Sequence, residues 1–89
     1  MLSTKIVEMT RAQCRAARAL LDITQSNLAE AADLGLSTIV DFEKERRQVS
    51  DDAVRAMRNA LERAGIEFSN DVTVGEGVFL RRRRHSQRR

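Results

Sequence analysis

The sequence predicts a mostly α fold, a four-helix bundle followed by a short C-terminal β hairpin or strand pair. Three observations carry this. Proline is absent and glycine occurs only four times in 89 residues, so little interrupts helices. Apolar residues recur at helical spacing from Cys14 to Ala64. Beyond Gly65 the period drops to two. At 10.1 kDa the chain has room for one core, and 42% apolar with 33% charged residues is a globular composition.

Residues 1–9 read as an N-terminal arm, extended around Ile6 and Val7. A helix over 11–22 follows, opened by Thr10 and Gln13 at capping-box spacing and stapled by Met9 and Cys14, with Cys14, Ala17 and Leu21 as its inward stripe. Thr24 caps a second helix over 25–32, whose inward residues are Leu28, Ala29 and Ala32. Asp33-Leu34-Gly35 breaks the pattern after two turns, and a third helix over about 36–44 turns Ile39 and Phe42 inward. After the polar stretch from Lys44 to Val49, Ser50 caps a fourth helix with Asp51 and Asp52 on its positive end. Its inward face is Val54, Met57, Leu61 and Ala64, and Gly65 closes it, with Ile66 folding back on Leu61. Ile66-Glu67-Phe68 and Val78-Phe79-Leu80 then read as two short strands, which must pack on the helices or on another subunit because an isolated hairpin is marginal in water.

Charge divides the chain. The net +3 splits into +6 on residues 81–89, an arginine-rich tail expected to be disordered, and −3 on residues 1–80. High overall basicity therefore says little about the folded surface. One cysteine forms no internal disulfide, no apolar run spans a membrane and the start lacks a signal-peptide core; a soluble cytoplasmic protein is expected. No nucleophile–base pair or phosphate loop marks an enzyme. Cys14 reads as a small core residue, His85 has no metal partners, Asp51-Asp52 is helix-end electrostatics and Met57 a core filler. Neither a metal, a cofactor nor a small-molecule ligand is indicated.

Two short helices joined by a three-residue break are the physical content of a helix-turn-helix. The segment from Gln25 to Glu43, with Ala29 small where two helices cross and Ile39 and Phe42 plugging the core, resembles the Cro/repressor-type (XRE) helix-turn-helix family of bacterial and phage transcription regulators. The resemblance covers about residues 10–64. The chain resembles especially the short members beginning T-x-x-Q-C-R-A-A-R-A-L-L and containing S-T-I-x-D-F-E, matched by Thr10–Leu21 and Ser37–Glu43.

That resemblance implies a repressor-like bundle and a set of roles. Gln25 would bind a DNA phosphate, its alternative being a merely solvated residue. The third helix would enter the major groove with Gly35, Leu36, Ser37, Thr38, Val40 and Asp41 toward base edges. Arg46 and Arg47 would contact the sugar–phosphate backbone. Arg18 and Glu43 would form an ion pair between the first and third helices, with a phosphate contact by Arg18 as the alternative. Two departures stand out: Asp33 occupies the usual glycine of the break, and the reading face lacks Arg, Lys, Gln and Asn, the side chains suited to bidentate base contacts.

The expected function is sequence-specific binding of double-stranded DNA by a homodimer on an inverted repeat, for transcriptional regulation. The reading unit is 10–65, and dimerisation falls to 66–80 through Ile66, Phe68, Val78, Phe79 and Leu80. The competing expectation is an antitoxin or interaction module whose heterologous partner docks on that C-terminal segment. Whether the arginine tail joins in DNA binding stays open.

Overall fold

The computed structural model describes residues 8–81. Four helices, α1 (Arg11–Leu21), α2 (Gln25–Ala32), α3 (Leu36–Lys44) and α4 (Asp51–Arg63), precede a two-stranded antiparallel sheet of β1 (Ile66–Asp71) and β2 (Gly75–Leu80). The arm expected to be extended around Ile6 and Val7, and the tail beyond Arg81 with His85, lie outside the described residues.

Local chemistry sets the boundaries. Thr10 and Thr24 each form a complete capping box, with Gln13 and Asn27 returning the bond to the cap backbone. Ser50 accepts from Ala53 N–H and places Asp51 and Asp52 in the first turn of α4. The first helix stops at Leu21, one residue before the expected end, because Asp22 turns left-handed (φ 58°) and closes it. Asp33 and Glu45 close α2 and α3 in the same way. Asp33 thus takes the conformation that glycine usually supplies, which a short polar side chain tolerates best after glycine.

The core gathers Met9, Cys14, Ala17, Leu28, Ile39, Met57, Leu61 and Ile66, with Leu21 and Phe42 packed partly buried against it. Met9 leaves the predicted arm to enter this core. One inward residue is corrected: Ala64 is exposed, and Ala60 takes its place on the buried face of α4. Ala64 caps the helix, and Gly65 (φ 112°) swings the chain away there. The Gly65 N–H still donates to the Glu62 carbonyl, the inner bond of a Schellman turn.

The hairpin pairs Ile66 with Leu80, Phe68 with Val78 and Asn70 with Glu76, and these pairs share one face. That face lies on α1 and α4. Beside the apolar contacts of Ile66, Phe68 and Val78, its fastening is polar. Gln13 is buried; its Nε2 donates to the carbonyls of Ser69 and Gly77 (3.0 Å each), while its Oε1 accepts from Thr10 N–H and Asn70 Nδ2. All four capacities of the amide are used. The turn is set by Asp71 Oδ1, which accepts from the Thr73 and Val74 N–H groups. Arg81 closes the sheet, donating its N–H to Gly65 and pairing with Glu67.

A candidate nucleic-acid interface on the helix-turn-helix

The site is built around the orientation of α3. Ile39 and Glu43 are buried on one side, and Gly35, Leu36 and Ser37 stand exposed at the leading end, Leu36 with 47% of its surface in solvent. Thr38, Val40 and Asp41 are half-exposed along the same rod. Gly35 supplies no side-chain cap, and the space around its α-carbon is open. The first N–H groups of α3 therefore face outward uncapped.

The rear of α3 is fixed by a buried carboxylate. Glu43 accepts from Arg18 Nε and Nη2 at 2.7 Å each, from the Cys14 thiol at 3.0 Å and from Gln25 Nε2 at 3.0 Å. Arg15 Nη1 donates to the Glu43 carbonyl at 3.0 Å. Burial alone would raise the Glu43 pKa, but the hydrogen bonds from Arg18, Cys14 and Gln25 outweigh it and hold it below the ordinary carboxylate value. The reverse holds at Cys14. Burial and then the facing carboxylate push its thiol far above the ordinary range, so it is an inert donor. One acid thus joins α1, α2 and α3, with Arg18 spanning the first and third.

Gln25 is partly buried and its amide is engaged inside this network. Thr24 caps the Asn27 N–H, which leaves the Gln25 and Ser26 N–H groups without an acceptor among the described residues. Gln25 lines a cleft with Arg11, Arg15, Arg18, Glu43 and Lys44, a setting with more cations than acids that composition alone did not mark. On the loop after α3, Arg46 and Arg47 are exposed. The side chain of Arg46 forms no ion pair among the described residues, whereas Arg47 Nε meets Asp41 Oδ2 at 2.7 Å.

The structure therefore places Leu36, Ser37, Thr38, Val40 and Asp41 on α3 after its cap Gly35, Arg46 and Arg47 on the loop that follows, with Arg47 against Asp41, and Gln25 at the start of the preceding helix. It does not gather the expected dimer residues into one surface. Ile66 is 2% exposed and belongs to the chain's own core, and Phe68 and Val78 pack against that core; only Phe79 (59% exposed) and Leu80 stand out. Sequence reasoning placed Gln13 in the Thr10 capping box but missed its bonds to the hairpin, and it missed Arg15 and the Asp41–Arg47 pair.

Two short packed helices joined by a three-residue break, with the second of them anchored behind and bare in front, define a helix-turn-helix DNA-binding domain. The profile of the helix-turn-helix family matches residues 15–67. The chain belongs to this family, in its XRE-type, Cro/C1-like branch, and is a DNA-binding regulator of that kind. Comparison with curated proteins gives no match. No helix among the described residues is long and apolar enough to cross a membrane.

Proposed function

We propose that the protein regulates transcription by binding double-stranded DNA as a homodimer on an inverted-repeat operator. The exposed leading end of α3, opposite a buried Ile39 and Glu43, is the observation that carries this reading. Leu36 and Val40 pack on thymine methyls, and Ser37 and Thr38 supply single hydrogen bonds to base edges. The free N–H groups beside Gln25, together with Arg46, grip phosphates and set the register. Residues 10–65 form the reading unit. A single domain of this size reads few bases, so a two-fold pair is needed for useful selectivity. The exposed Phe79 and Leu80 support self-association through the 66–80 segment.

The test is selection of bound duplexes from a random pool, read with the mass of the complex. The expected product is an inverted repeat with half-sites about 34 Å apart, or a multiple of this, carrying two chains. Arg46→Ala should weaken binding to all duplexes, whereas Ser37→Ala should change the ranking among them. A pool left unenriched would remove the DNA reading.

The exposed apolar hairpin, with Val72 and Val74 at its tip, also favours a second reading, an interaction module for a heterologous partner such as an antitoxin's toxin. Gel filtration separates the two. A monomer that selects no duplex supports the second, and a dimer that selects one supports the first.

A further inference from the structure

We infer that Arg47, held in place by Asp41, reads a guanine in each half-site through the major groove. The inference rests on α3 entering that groove and concerns how its sequence preference arises. Apart from Lys44 at its last position, the helix carries no side chain suited to a bidentate base contact at its outward positions. It does carry an acid there, Asp41, which would repel phosphates if it stood alone.

The chain resolves both difficulties with one contact. Glu45 turns left-handed (φ 56°) at the end of α3, and the Arg46 N–H bonds back to the Asp41 carbonyl at 2.9 Å. This reversal returns the next side chain along the helix it has just left. Arg47 Nε donates to Asp41 Oδ2 at 2.7 Å, and Nη1 donates a long bond (3.4 Å) to the Gln48 carbonyl. Nη2 meets no acceptor among the described residues. The Asp41 side chain is 17% exposed and that of Arg47 52%, so the guanidinium is the more accessible partner of the pair. An arginine fork is thus presented beside the reading face with its Nε already committed.

Charge decides between base and phosphate. A phosphate rewards net positive charge, and the Asp41 carboxylate cancels most of what Arg47 offers while repelling the phosphate itself. The guanine edge is neutral and presents two acceptors, O6 and N7, so it needs directed donors instead of net charge. Holding the side chain in advance also lowers the ordering cost on binding. Neighbouring Arg46, without an ion pair among the described residues, is the better phosphate ligand.

The experiment is duplex selection and salt titration with the full chain and the variants Arg47→Ala, Arg47→Lys and Asp41→Ala, each checked for an unchanged melting temperature. Both positions lie outside the core cluster, so the fold should persist. Arg47→Ala should reduce the preference for guanine at one position per half-site roughly ten-fold and leave the slope of log K against log salt unaltered. Arg47→Lys should not restore it, because an ammonium lacks the fork. Asp41→Ala should broaden the same position and steepen the salt dependence, having freed a cation. The inference is overturned if Arg47→Ala weakens every duplex equally and flattens the slope by about 0.9 per contact, the mark of a phosphate ligand. It is equally overturned if preference and slope both stay unchanged, which would leave a surface ion pair only. In either case the wild type still selects a sequence; if it selects none, the DNA-binding reading fails as well.

Discussion

Glu43 holds its charge in the interior because every neighbour supplies a donor: Arg18 twice, Cys14 and Gln25 once each. Removing Arg18 strands that charge. Arg18→Met should cost about 3–5 kcal/mol in urea unfolding, the range for a buried pair broken on one side. Acid should act through the same carboxylate. Its pKa is lowered in the folded state, so its contribution is complete above the ordinary carboxylate value near 4.5 and is lost as pH falls through the lowered one. Urea midpoints measured for wild type and Glu43→Gln should therefore differ most near neutrality and converge in acid. This residue was legible as an ion-pair partner from the S-T-I-x-D-F-E segment. The thiol and amide bonds were not, because Cys14 looked apolar within its stripe and Gln25 was expected to face a DNA phosphate from a helix start. Spacing along a helix reveals which side a residue takes, but not which atom waits there.

Among elements, the helices were legible and the docking of the hairpin was not. Caps and stripes are local: the Thr10, Thr24 and Ser50 hydroxyls each accept from an N–H three residues on. The hairpin is held by Gln13 across 56 and 64 positions of sequence. Because Gln13 already satisfied a capping box, nothing in its neighbourhood demanded a second role. A period of two likewise announces a strand without saying which face meets the chain's own helices, which is why Ile66 was assigned to a dimer surface and lies in the core. The Gln13 contact also yields a prediction. Gln13→Ala leaves the Ser69 and Gly77 carbonyls and the Asn70 amide without this partner and should cost about 1–3 kcal/mol. Amide exchange should accelerate across 66–80 beyond any change in α2 and α4; uniform acceleration would mean that the hairpin is held by its apolar contacts instead.

At the scale of the molecule, the proposed dimer determines how far apart two reading helices stand. Cutting the chain after Gly65 would remove Ile66 from the core as well as the proposed interface, so point substitutions test the assembly more cleanly. Phe79→Arg should convert a two-chain species into a single-chain one in sedimentation, with little loss of thermal stability, since Phe79 is mostly exposed. Binding to a palindromic duplex should weaken more than binding to one half-site. A dimer that persists would shift the interface to the outer helices, where Leu20 is also exposed.

The uneven anchoring of α3 has a consequence for any encounter with DNA. Its tail is pinned by bonds from both preceding helices, whereas its tip ends in a bare glycine and a solvent-facing leucine. Like a key clamped at the bow, such a rod has little freedom to swivel. Apart from the guanine assigned to Arg47, accommodation of one duplex over another then falls to the short side chains at its point and to the pliancy of the double helix, so stiff and supple base steps should be told apart even where no atom of the protein touches them.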